Sequence, residues 1–371
     1  MAPAFPALQS GNGITAGTNY LPAEPDRVLW GRLPRRGDRP VATVEAGATL
    51  VLDTISHEGI LADQGSDPVA YFGSHGVDPA EILTDTVEVV ARRTREPGAG
   101  SHIVTGPIAV AGARPGDLLA VRVEDLAMRA PYGVISTRHG RGVLAGSHAL
   151  DADYGQFCRV ERIDETWCGT MPIGPGRAAF PLAPFLGIMG VATDTEDRVN
   201  SVPPGPHGGN IDIKLLTVGA TLFLPVQVPE ALFYIGDPHF AQGDGEVALT
   251  ALEAPLRATL TFDLVPAERV RAALPGGVGP FAAGHGLVVP TGMDADLDVA
   301  LAHCVGHAVD LLGALFDADP RAAYLYLSAA TDFTISQAVD LVRGVHGRIR
   351  VRDFAHTAQS DLGRLILERA R

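Results

Sequence analysis

Apolar residues in this chain come mostly in short runs broken by proline and glycine, a pattern that predicts strands joined by tight turns. VATVEAGATLVLDTIS (41–56) alternates as a strand pair would, and HIVTGPIAVAGARPGDLLAVRVEDLAM (102–128) reads as strands interrupted at Gly-Pro and Pro-Gly-Asp. From 180 to 265 the runs PLAPFLGIMGVA, LLTVGATLFLPVQV, ALFYIG, VALTALE and LRATLTFDL follow one another, and no helix-length pattern interrupts the last four. Two stretches have a helical period instead. DPAEILTDTVEVVARRT (78–94) opens on the start signal Asp78-Pro79. MDADLDVALAHCVGHAVDLLGALF (293–316) places Leu297, Leu301, Cys304, Val305, Ala308, Leu311, Leu312 and Leu315 on one face, with acidic residues in its first turn. A further helix is predicted over ISQAVDLVRG, and the Gly/Pro-rich segment 272–292 reads as a loop or linker where the chain could subdivide. Residues 1–40 have no sustained period and read as an irregular arm. The predicted fold is mainly β, with a sandwich- or barrel-like core and helices packed on it late in the chain.

Composition agrees with many turns: 43 glycines and 28 prolines in 371 residues exceed the usual share of about 12%. The net charge of −14 offers no basic field for a nucleic acid or an anionic membrane, and suits small neutral substrates or metal cations. Cys158, Cys168 and Cys304 follow neither a zinc-ligand spacing nor a disulfide framework, so a reducing compartment is expected. The N-terminus lacks a charged segment followed by an apolar one, and no apolar run approaches the ~18 residues of a membrane span, so the cytoplasm is the expected location. A homo-oligomer is also expected.

Two polar clusters interrupt the apolar central region. PGPHGGNIDIK (204–214) is turn-forming at its start, and a strand beginning near Asn210 would put Asn210, Asp212 and Lys214 on one face and Ile211, Ile213 and Leu215 on the other. GDPHFAQGDGE (236–246) gathers Asp237, His239, Gln242, Asp244 and Glu246, with Asp237/His239 and Asp244/Glu246 spaced to share a face of an extended chain. So many carboxylates are costly to bring together unless a cation neutralises them, and the mixed nitrogen and oxygen donors suit Zn²⁺ or a pair of divalent ions. His57 and Glu58 in TISHEGILADQG, and His139 in STRHGRG, could reach the same pocket from other strands. His303 and His307 are one helical turn apart but lack the glutamate of an HExxH motif, and read as structural.

The stretch from Pro204 through Glu253 resembles the signature core of the acetamidase/formamidase family, whose members hydrolyse short aliphatic amides to the acid and ammonia. The likeness extends to TGPIAVAGARPGDLLAVRV (105–123), PLAPFLGIMGVA (181–192) and TDFTISQAVDLVRGVHGRI (331–349). It implies a β-sandwich-like fold with an added α/β portion, one catalytic domain over 41–371, and a site built around HGGN and GDxHxxQGDGE. Pro238 and Glu230 depart from the family pattern, each standing where a small residue is frequent.

Amide hydrolysis through lysine would have to use Lys214, the chain's one lysine, which has no nucleophile segment beside it. None of the cysteines has a nucleophile context, and Ser74 and Ser147 lack a GxSxG elbow. What remains is a divalent ion, zinc first, with calcium or a second ion as alternatives, that lowers the pKa of bound water toward ~7. His207, Asp212, Asp237, His239 and Asp244 are the candidate ligands. Glu246 is the candidate general base and acid, and Asn210 and Gln242 are candidate donors to the amide. The rival expectation is a non-catalytic β-sandwich module binding Ca²⁺ or a carbohydrate, which the two histidines argue against.

Overall fold

The computed structural model describes residues 4–138, 141–147 and 154–369. The alternating runs sort into two large sheets. One passes through Tyr20–Leu21, Thr49–Asp53, Leu256–Val265, Leu118–Met128, Thr221–Pro225, Phe281–Gly284, Leu287–Asp294, Arg343–Arg350 and Asp332–Gln337. The other passes through Gly176–Pro181, Thr166–Ile173, Gly155–Ile163, Tyr132–Ser136, Leu252–Glu253, Phe233–Ala241, Phe185–Gly190 and Gly208–Asn210. Ile103–Val110 joins the second sheet at Phe233–Ala241 and carries Val28–Trp30 and Ala42–Val44.

The period of two decides the layers. In Leu118–Met128, Leu119, Val121 and Val123 meet Ile108, Met189, Phe233 and Ile235 of the second sheet in the main core. Leu118 and Ala120 point the other way, into a second core with Leu311, Leu312, Leu315, Leu327 and Ile366. These come from the helices Leu297–Phe316, Pro320–Ala330 and Asp361–Glu368. The order is therefore sheet, sheet, helices, and each fully buried Leu or Phe contributes about 1.5–3 kcal/mol. The fold is mostly β with C-terminal helices, as the pattern predicts.

Helix Leu297–Phe316 starts where Asp296 accepts hydrogen bonds from the N–H groups of Asp298 and Val299, a cap worth about 1 kcal/mol. Its buried face runs through Ala300, Cys304, Ala308, Leu311, Leu312 and Leu315, whereas Leu301, expected on that face, is 40% exposed. By length and composition this helix could cross a membrane, contrary to the reading of the runs, but its apolar face lies on the sheet.

Three expectations need correction. ISQAVDLVRG is not a helix: Asp332–Gln337 and Arg343–Arg350 are paired strands, with Ile335 opposite Val345, joined by a short loop. The helix lies earlier, at Pro320–Ala330, started by Asp319 and by proline in its first turn. Segment 272–292 is not a linker, because Phe281–Gly284 and Leu287–Asp294 continue the first sheet without a break. The N-terminal arm, largely irregular, contributes Tyr20–Leu21 and Val28–Trp30 to the sheets. Glu230, where a small residue was noted as frequent, has φ +62°, a conformation that favours glycine.

Candidate active site

Strand Phe233–Ala241 is the axis of the site. It pairs with Phe185–Gly190 on one edge and, on the other, with Ile103–Val110 along its first half and Leu252–Glu253 at its end. Phe233 and Ile235 enter the main core, as does Phe240, so the alternation changes phase between them. The change falls at Asp237, whose φ is +49°. This left-handed residue turns Asp237 and His239 away from the core. Gly187 on the neighbouring strand leaves the space they need: a Cβ there would lie 2.5 Å from Asp212 Oδ1, 2.7 Å from His239 Cε1 and 2.9 Å from Asp237 Oδ2.

Asp212 arrives from the adjoining edge strand, which ends at Asn210, earlier than the alternation suggested. Ile211 and Ile213 still enter the core and Asp212 still faces the site, because Asp212 takes φ +48° and its N–H donates to the Gly187 carbonyl at 3.2 Å. Glu246 has φ +43°, so three carboxylates of the site sit on left-handed backbone. Each such residue costs about 1–3 kcal/mol and persists only where its surroundings enforce it.

His239 Nε2 lies 3.1 Å from both Asp237 Oδ2 and Glu253 Oε1 and 4.0 Å from Glu246 Oε1. Its Nδ1 is 3.0 Å from Gln242 Oε1, and the Gln242 amide nitrogen donates to the carbonyls of Asp212 and Ser336 at 2.9 and 3.1 Å. That fixes the amide orientation and hence a proton on Nδ1. Gln242 therefore holds the ring in place, and its donors are not free for an amide substrate.

Across the strand, His57 Nδ1 is 3.4 Å and His102 Nε2 3.8 Å from Asp237 Oδ1. His102 is steadied from behind by Ser201 Oγ at 3.1 Å. Behind His57, Glu58 lies 3.6 Å from Nε2 and is bound by Arg138 and Gln64. Asp340, from the loop after strand Asp332–Gln337, is buried in the same cluster.

Burial lowers the His57 imidazole to about 3 and also lowers His102. Burial raises Glu253 to about 7 and Asp340 to about 8, and holds Asp212 and Glu246 well above the usual range, assisted by neighbouring carboxylates. For Asp237 burial acts in the same direction, but His102 and His239 outweigh it and hold the group well below the usual range. For His239 burial opposes protonation, yet Glu253 and Asp237 raise it.

The donor set fits a divalent ion. His57 Nδ1, Asp237 Oδ1, both Asp212 oxygens and Glu253 Oε2 are buried without a hydrogen-bond partner, which is expensive unless something else satisfies them. His57, His102 and Asp237 form one group able to hold a cation; Asp212, His239 and Glu246 form a second; Asp237, His239 and Glu253 form a third. Asp237 and His239 are each shared by two groups.

Of the residues singled out in the sequence, Asp212, Asp237, His239 and Glu246 come together, Asn210 lines the cavity above them, and His57 and Glu58 join from the turn that follows strand Thr49–Asp53. His207 and Asp244 are not in the cluster. His207 sits in the turn 205–208, against the backbone of Gly205 and Gly209, and Asp244 is held by Lys214 at 2.7 Å. Residues 243–249 form a loop, so Asp244 and Glu246 point to different places instead of sharing a strand face. His139 lies outside the described residues. His102, Glu253 and Asp340 were missed; Glu253 and Asp340 are lone polar residues among apolar neighbours, which was the available signal, whereas His102 stands at the start of a run beside Ser101.

A two-sheet protein with a buried centre of imidazoles and carboxylates beneath a cavity carries side-chain groups that could hold a divalent cation. The pattern of the Acetamidase/Formamidase family matches residues 98–197 and 191–346, and the chain belongs to that family. It is 29% identical over 192 residues to a formamidase from Methylophilus methylotrophus, covering 39% of this chain and 47% of that protein. It is 30% identical over 202 residues to an acetamidase from Mycolicibacterium smegmatis, covering 40% and 50% respectively. The chain thus spans about half the length of the named relatives it matches. Its fold is similar to that of the crystal structure of an acetamidase from Yersinia enterocolitica, with a TM-score of 0.72 at 23% identity, over 93% of this chain and 96% of that one.

Proposed function

We propose that this protein hydrolyses the C–N bond of short linear amides, giving the carboxylate and ammonia. The observation that carries the proposal is the buried centre of Asp237, His239 and their neighbours, open to a cavity of about 420 Å³, in a chain of this family. His57, His102 and Asp237 would hold a divalent ion, and two imidazoles with one carboxylate favour zinc. When bound, such an ion polarises an amide carbonyl and makes water a stronger acid.

The chain's own groups then divide the work. Asn210 and Glu246 line the cavity, so both can touch an amide lying there. Asn210 Oδ1 has no partner and can accept from the amide NH₂, which orients the C–N bond. Glu246, whose carboxyl is held well above the usual range by burial, can deliver a proton to the departing nitrogen and recover one from water. Gln242 keeps the His239 ring fixed. A reducing, cytoplasmic setting and a homo-oligomeric state belong to the same proposal.

The test is ammonia release from formamide and acetamide by the purified protein and by Glu246→Gln. Turnover is expected in the first and a roughly 100-fold loss in the second, the usual contribution of a positioned acid or base. Ammonia release by neither protein contradicts the proposal, and equal rates remove Glu246 from it.

A further inference from the structure

The cavity has a second charged feature that bond cleavage does not use. Its floor is acidic, formed by Asp237, Glu246, Glu253 and Asp340, while Arg95 and Arg141 also line it. Arg95 follows helix Thr84–Arg92, and Arg141 follows strand Tyr132–Ser136. Both side chains are exposed, and among the described residues neither makes an ion pair or a side-chain hydrogen bond. In a chain of net charge −14, two unpartnered guanidinium groups thus share one opening.

The segments that carry them are held in place. After Arg95 the chain is tied by Gly100 N–H to the Gly31 carbonyl at 2.9 Å, by Trp30 Nε1 to the Ser101 carbonyl at 3.0 Å and by Asn200 to the Gly98 carbonyl at 2.9 Å. Gly100 allows this closeness, because a Cβ there would lie 2.2 Å from Ser201 Oγ. Arg141 N–H donates to the Thr137 carbonyl at 3.0 Å, and Val143 N–H to the Val247 carbonyl at 2.8 Å.

The space is also larger than a minimal amide needs. Water occupies about 30 Å³ per molecule in the liquid, and formamide or acetamide has only three or four heavy atoms, against about 420 Å³ here. Leu249, Val339 and Leu341 contribute apolar surface to the same lining. An acidic floor, apolar wall and cationic opening match a molecule with an amide at one end, methylene groups between and a carboxylate at the other.

Building on the amide-hydrolase reading above, we infer that the preferred substrate is a short primary amide with a terminal carboxylate, its anionic end received by Arg95 and Arg141. Guanidinium groups pair with carboxylates through parallel N–H donors and outperform a point charge in selecting them. The reaction is unchanged: water adds to the amide carbon, the C–N bond breaks, and the carboxylate remote from it takes no part.

The experiment compares kcat/KM for succinamate and for 4-methylpentanamide, which has the same shape without the charge, in the wild-type protein and in Arg95→Gln/Arg141→Gln. A preference for succinamate of about tenfold or more is expected, shrinking as sodium chloride rises from 50 to 500 mM, since exposed pairs are screened. In the double variant the ratio should fall toward one. A calorimetric titration with succinate reads the same arginines without turnover, with Kd expected to rise about tenfold in the variant. Hydrolysis of both amides without preference, with succinate bound equally by both proteins, overturns the inference and leaves the hydrolase reading standing. Arginine-dependent succinate binding without hydrolysis of any amide supports the anion pocket and refutes the hydrolase reading.

Discussion

Around Arg129 and around His239 the chain buries charge in opposite ways. Arg129 is fully buried, yet its donors reach Asp85 at 2.7 Å, Asp53 at 3.3 Å and the carbonyls of Thr54 and Leu8 at 2.8 and 3.1 Å. Arg257 closes the other side of Asp53 at 2.6 and 2.9 Å. Two guanidinium groups answer two carboxylates, and the network ties the N-terminal arm to the first sheet. Around His239 the balance fails: Asp212, Asp237, Glu246, Glu253 and Asp340 gather at one imidazole, and several of their oxygens lack partners. Backbone strain follows the same division, since three of these carboxylates have positive φ and none of the Arg129 network does. A closed network is complete in itself. An open, strained one has donors left over, and the proposed function gives them a cation and a substrate.

Breaking the closed network should give the largest effect on stability. Arg129→Met leaves Asp85 buried without its cation, and a loss of about 3–5 kcal/mol is expected in urea unfolding. A loss below 1 kcal/mol would place this network nearer to a surface ion pair than to a buried one.

A smaller effect sharpens the contrast from a histidine that belongs to neither network. Burial lowers His207 to about 4, below the ~6.5 of an unfolded chain. Between those values the unfolded state binds the proton first. The contribution of His207 is therefore fully present above about pH 6.5 and declines as pH falls toward 4, by up to about 3 kcal/mol. His207→Gln should remove that part of the pH dependence. Urea midpoints measured at pH 7 and 4.5 for both proteins check it, and an unchanged difference between the two pH values contradicts it.

What could be read from the sequence divides along the same line. Helix Leu297–Phe316 was legible because its period, its acidic first turn and its packing all agree. The strand-pair segment Asp332–Gln337 and Arg343–Arg350 was misread because an apolar run with polar interruptions fits either period until its partner is known. At the site, Asp237 and His239 were found from their local spacing, and the positive φ at Asp237 that turns them away from the core was not visible. His102 and Glu253 are distant in sequence and converge through strand pairing, and Asp340 reaches them from the loop after Asp332–Gln337. Asp244 was misplaced because Lys214 takes its carboxylate away from the cluster.

Asp212, Asp237 and His239 are seated in the space that Gly187 leaves, and Asp237 belongs with His57 and His102 to the group proposed to hold a divalent ion. Elemental analysis of the purified wild-type protein beside Gly187→Ala tests the proposed ion directly, because the added methyl group would displace Asp212, Asp237 and His239 while leaving every donor side chain in the sequence. At least one divalent ion per chain is predicted in the wild type, with loss of ion and a ~1000-fold or greater loss of amide turnover in the variant. A wild-type protein that is free of metal and fully active would contradict the account.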